Sequence, residues 1–189
     1  MTKKDIRLFT IIGILSIAFR LSAFVVGLLM DWGSLYRILD IIGHILFLLL
    51  LLYVGRDLRH NYRMNAYSVY FFVFYSLLFT IVAALMTNRN FLYQLMSILL
   101  FFLALAFAIY LMKTVYKIFA IVFLSLLITM FLLPIIIAKF FDGYYFDIYK
   151  YFMILPVLYP AVLIFIVRGS VNKVYDEIES IGADMEITE

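Results

Sequence analysis

Residues 8–55 read LFTIIGILSIAFRLSAFVVGLLM, then DWGS, then LYRILDIIGHILFLLLLLYVG. Two apolar runs, Leu8–Met30 and Leu35–Gly55, are separated by the four-residue turn Asp31-Trp32-Gly33-Ser34. A run of about 18 or more apolar residues spans the ~30 Å hydrocarbon layer at ~1.5 Å rise per residue. The stretch therefore predicts a transmembrane helical hairpin. Lys3, Lys4 and Arg7 precede it, as in a secretory signal. An apolar signal core is only about 7–15 residues long, however, and no small-residue cleavage site follows. The first run is expected to be a retained helix.

The rest of the chain repeats the pattern. Further apolar runs cover 66–86, 91–112, 118–138 and about 148–167. The expected fold is all-α, a polytopic integral membrane bundle of six transmembrane helices over residues 1–168. A short amphipathic helix and acidic tail would occupy 169–189. Of the 189 residues, 67% are hydrophobic and only 14% charged, against roughly a quarter in soluble domains, which leaves no room for a separate soluble domain. Short connections make successive helices antiparallel neighbours, with Asp142-Gly143 marking a turn before the last span. No convincing internal repeat is present.

Charge sets the expected orientation. With the N-terminus inside, Lys3, Lys4, Arg7, Arg56, Arg59, Arg63, Lys113, Lys117, Arg168 and Lys173 lie on the cytoplasmic side. Arg37, Arg89, Lys139 and Lys150 lie outside, and Arg20 is within a span. Ten against four follows the positive-inside rule, so both termini are expected in the cytoplasm. The expected location is the cytoplasmic (inner) membrane of a prokaryote. Basic loops here reflect topology, not nucleic-acid binding. Tyr62, Tyr67, Tyr70, Tyr110, Tyr116, Tyr144, Tyr145, Tyr149 and Tyr151 fall near span ends, the depth at which amphipathic rings settle among headgroups.

Several chemistries are excluded. There is no cysteine, hence no disulfide, thiolate metal site or thiol nucleophile. The only histidines are His44 and His60, and His60 falls in the basic loop after the second run. Gly-rich phosphate loops, Gly-x-Ser-x-Gly, His-Glu-x-x-His and paired carboxylates within a span are all missing. No cofactor or metal is expected, and an enzyme is the less favoured class.

The polar chemistry gathers in the first hairpin. Arg20 lies mid-span, where a cation costs at least ~2.5–3.5 kcal/mol on insertion scales, so it should face protein or water. Gly13, Ser16, Arg20, Ala23 and Gly27 recur at spacings of three and four, one stripe of small residues that lets a second helix approach. On the second span Arg37, Asp40 and His44 form a matching stripe. Arg20 and His44 lie at similar depth, roughly 17–19 Å from the turn, and Asp40 is about 7 Å shallower than Arg20. The expected arrangement is an Arg20–Asp40 pair with His44 beside it. It is either a structural lock or a binding site or proton pathway that includes Arg37.

The three prolines, Pro134, Pro156 and Pro160, lie in the last two spans and should bend them. Gln94 with Ser97, and Ser125 with Thr129, share helix faces and are expected to bond across helices or to the preceding turn. In Ser170–Ile181, Val171, Val174, Tyr175, Ile178 and Ile181 form an apolar stripe with Asp176, Glu177 and Glu179 off it. An acidic polar face suits a protein partner better than a membrane surface, whose helices are usually basic. Two functions are expected from this pattern. The first is binding or transport of a small molecule, ion or lipid through a polar site between the first two and last two spans. The second is a non-catalytic accessory or regulatory subunit that meets a cytoplasmic partner. Membrane lipids are expected partners of either.

The topology is open to direct test. Because the chain lacks cysteine, single cysteines at Asn61 and Asn88 should be read unambiguously by an impermeant thiol reagent on intact cells. Labelling at Asn88 and protection at Asn61 is the expected outcome. The reverse pattern would invert the topology.

Overall fold

The computed structural model describes residues 3–29, 33–85, 91–140 and 151–169, with side chains of 133–135 and 137–140 left aside. The turn residues Asp31 and Trp32, the connections at 86–90 and 141–150, and the acidic tail from Ser170 lie outside the described residues. The expected C-terminal amphipathic helix and the start of the last apolar run fall there. Every regular element among the described residues is helical: α1 (Lys3–Leu29), α2 (Ser34–His60), α3 (Tyr67–Leu85), α4 (Phe91–Leu111), α5 (Lys117–Phe140) and α6 (Leu155–Gly169). Helices α1 to α4 are long and apolar enough to cross a membrane. The apolar parts of the last two, Lys117–Leu132 and Leu155–Gly169, are shorter over the described residues.

Helices α1 and α2 form the tightest pair, and Gly43 is the reason. A Cβ built there would come within 2.7 Å of Arg20 Cγ, 3.3 Å of the Arg20 backbone nitrogen and 3.4 Å of the Ser16 carbonyl oxygen. Only a residue without a side chain lets the two backbones meet this closely. The facing stripe of α1 is buried along its length, with Gly13, Ser16, Arg20, Ala23 and Gly27 all turned inward. At the near end of α1, Ile164 of α6 fills the space beside Gly13.

The core lies toward one end of the bundle. Helix α3 buries Val69, Phe72, Val73 and Ser76 from its first half, and α4 buries Ala104, Phe107, Ala108 and Leu111 from its last turns. Because successive helices are antiparallel, these positions share a level with the second half of α2 and the start of α5. Rings tie the level together. Phe72 stacks on Phe107 at 4.5 Å, and Phe123 meets both edge-on at 5.9 and 5.4 Å. At the opposite end Leu85 and Phe91 are each 79% exposed, so the same helices present apolar side chains outward. An outward apolar surface of this kind suits lipid and would be a liability in water.

The basic end of the bundle departs from the sequence reading. Helix α2 does not stop with its apolar run at Gly55 but continues to His60. That extension turns Asp57 into the protein. Its carboxylate accepts hydrogen bonds from Tyr116 Oη at 2.7 Å and from Asn61 Nδ2 at 2.6 Å. Tyr116 is buried, so it is a core residue and not a headgroup anchor; burial, reinforced by the Asp57 charge and hydrogen bond, pushes its phenol well above the usual range. Arg63 adopts a left-handed backbone (φ 51°) in the connection that follows. Asn65 Oδ1 then accepts from the Tyr67 amide at 2.9 Å, capping α3. Tyr110 of α4 donates to the Asn65 carbonyl, pinning the same connection to α4.

Close packing at Gly43 yields a controlled prediction. Gly43→Ala should lower the stability of the purified protein by about 1–3 kcal/mol in a detergent melt, since the added methyl overpacks the α1–α2 contact. Gly169→Ala, with nothing within 4 Å of its new Cβ, should change stability by less than about 0.5 kcal/mol. Equal effects at the two glycines would mean that α1 and α2 do not meet at Gly43.

Candidate functional site

The packed core ends at a polar layer. Gly43 is the first buried residue of α2, and Ser76 is the last of α3. Between them lies Arg20, only 8% exposed although it is charged. Its Nη2 donates to His44 Nδ1 at 3.1 Å, and His44 Nε2 lies 3.0 Å from Ser76 Oγ. A guanidinium only donates, so Nδ1 must be the accepting nitrogen. The hydrogen-bond network thus assigns His44 as the neutral tautomer, protonated on Nε2 and donating to Ser76. One continuous polar chain runs from α1 through α2 to α3.

Neighbouring groups hold this chain in place. Ser16 Oγ donates to the Gly43 carbonyl at 2.8 Å, fixing α1 against α2 one turn before Arg20. Thr80 Oγ1 donates to the Ser76 carbonyl at 2.8 Å. The Phe47 ring lies under the guanidinium, with Arg20 Cζ 5.7 Å from its centroid, within the ~6 Å range of cation–π attraction. Phe47 in turn stacks on Tyr159 of α6 at 5.6 Å, and Tyr159 meets Phe123 of α5 at 5.0 Å. The last two helices therefore reach the site through aromatic rings.

The Arg20 guanidinium is only partly met. Its Nε is buried and has no hydrogen-bond partner. A hydrogen bond to a charged group contributes about 1.5–3 kcal/mol, while a buried donor left unmade costs a comparable amount. The single bond to His44 roughly offsets the cost of a mid-span cation, and the unmet Nε remains as a penalty. As the protein's own residues fill it, the site is under-satisfied.

Among the sequence candidates, Arg20 and His44 are in direct contact. Asp40 is partly buried and acts on Arg20 electrostatically, but no ion pair joins them within 4.0 Å. The expected pairing is thus exchanged, with His44 taking the contact and Asp40 standing off. Gly43 explains the exchange. It lets the Arg20 stem lie flat against α2, so the guanidinium stays at the depth of His44 and does not reach back one turn. Arg37 is exposed in the first turn of α2. Ser76, Phe47 and Tyr159 were not singled out by the sequence. A lone serine in an apolar run carries no periodic signal, although its shared face with Thr80 was a usable hint. Gln94, Ser125 and Thr129 are exposed, and Thr129 bonds back to the Ser125 carbonyl.

Comparison with known protein families, with characterised proteins and with solved structures finds no match for this chain. Architecture and site together describe an all-helical protein with apolar helices of membrane-crossing length and a buried polar layer across three of them.

Proposed function

We propose that the chain is a six-span protein of the cytoplasmic membrane, with both termini inside, which binds or carries a small molecule, ion or lipid at the Arg20–His44–Ser76 layer. The observation that carries this reading is the unmet Nε of a buried, mid-helix arginine. Intramembrane ionisable residues are costly, face the bundle interior or a partner, and commonly mark substrate or ion pathways. A pure lock would be expected to satisfy all of its donors. The position of the layer supports the same reading, because it lies where core packing ends and the helices begin to present their side chains outward. A ligand arriving from the less packed end would meet Arg20 before it met the aromatic core. The ten-to-four distribution of Lys and Arg supports the orientation, and the outward apolar side chains support lipids as the surrounding partners.

Purified protein should be melted in the presence of a panel of carboxylates, phosphates, amino acids, neutral solutes and inorganic cations. At least one class is expected to raise the melting temperature, since a ligand that binds only the folded state stabilises it by mass action. Ser76→Ala, a mild change at the edge of the layer, should weaken the response. A flat response across the panel, or one indifferent to Ser76, would contradict a site at this layer.

A further inference from the structure

We propose that the ligand taken by this layer is a small monocarboxylate, bound side-on by the Nε and Nη2 donors of Arg20. The proposal rests on the binding role assigned above and narrows it to one chemical class.

The argument starts from the shape of the guanidinium. Nε–H and Nη2–H point the same way and form one edge of the planar fork, an edge that matches the two oxygens of a carboxylate. In this structure that edge is not fully met. Nη2 is bonded to His44 Nδ1, and Nε beside it has no partner. An imidazole nitrogen offers one lone pair in the ring plane and cannot serve both donors. A carboxylate can. It would meet Nε and Nη2 at once, beside His44, and neutralise the cation.

The surroundings favour a small, singly charged ligand. Phe47 lies beneath the guanidinium and is stacked on Tyr159, so the walls on that side are aromatic and dry. A phosphate dianion would be far costlier to strip of water in such surroundings than one carboxylate. The nearby carboxylate of the protein, Asp40, stands outside ion-pair distance while its charge still acts on Arg20. It therefore does not occupy the fork, but it repels an incoming anion. Removing its charge should strengthen binding. His44 holds the fork in position through Nη2, so a carboxylate arriving on the same fork changes the surroundings of its ring.

The test uses sodium butyrate as the probe and sodium chloride at equal ionic strength as the control. Since His44 and His60 are the only histidines and His60 is exposed at the end of α2, His60→Gln leaves one imidazole to observe by nitrogen NMR. Butyrate, and not chloride, should shift the His44 resonance in a saturable way and raise the melting temperature. Asp40→Asn should bind butyrate several-fold tighter, and Arg20→Gln should lose the thermal response. Should Arg20→Gln fail to fold, the His44 resonance decides: a signal that butyrate does not move overturns the proposal. A thermal response that survives in Arg20→Gln overturns it as well. If a neutral or cationic compound binds in a Ser76-dependent way while butyrate does not, the carboxylate assignment falls and the binding role of the layer stands.

Discussion

A guanidinium carried to the middle of an apolar helix must be met by something, and the arrangement of α1, α2 and α3 follows from how Arg20 is met. Hydrocarbon offers no hydrogen bonds, so the cation is driven against the neighbouring helix. It can lie there only because Gly43 has no side chain where the Arg20 stem passes. Ser16, bonded to the carbonyl of that same glycine, keeps the two backbones together. His44 accepts from Arg20 and passes the connection to Ser76. Three helices are thereby held at one level by bonds that only a particular depth and rotation of each helix allow. Apolar packing in a membrane is less discriminating, because lipid tails are as apolar as the side chains they would replace.

A second polar fixture works at the other end of the core. Asp57, Asn61 and Tyr116 join the end of α2 to the turn between α4 and α5. The ring cluster of Phe72, Phe107, Phe119 and Phe123 lies between the two fixtures. The two fixtures differ in kind. Each oxygen of Asp57 has a donor, as in a lock. Arg20 keeps its buried Nε unmet, and that difference separates a structural contact from a candidate site.

The helices and the inward stripe of α1 were legible in the sequence because both are matters of period. Apolar runs of this length have one use in a bilayer, and Gly13, Ser16, Arg20, Ala23 and Gly27 mark one face by their spacing. The equal depth of Arg20 and His44 also followed from rise per residue. The pairing did not follow, because counting residues along two helices ignores how closely the helices approach, and charge attraction alone favours Asp40. Ser76 and Tyr159 were hidden for a different reason, since one hydroxyl in an apolar run and one ring among many leave no pattern. The inward turn of Asp57 was not legible because hydropathy marks where an apolar run ends, not where a helix ends. Three further turn-forming residues, Arg63, Asn65 and Thr114, shape connections whose geometry depends on contacts made across the bundle.

The central claim is that Arg20 is held by His44 and not by Asp40. Paired double-mutant cycles in the purified protein test it most directly, with one cycle combining Arg20→Gln and His44→Ala and the other combining Arg20→Gln and Asp40→Asn. Residues that share a hydrogen bond show coupling of about 0.5–3 kcal/mol, whereas separated ones add within about 0.5 kcal/mol. The account predicts clear coupling in the His44 cycle and a smaller value in the Asp40 cycle. Additive losses for Arg20 and His44, with strong coupling between Arg20 and Asp40, would contradict it.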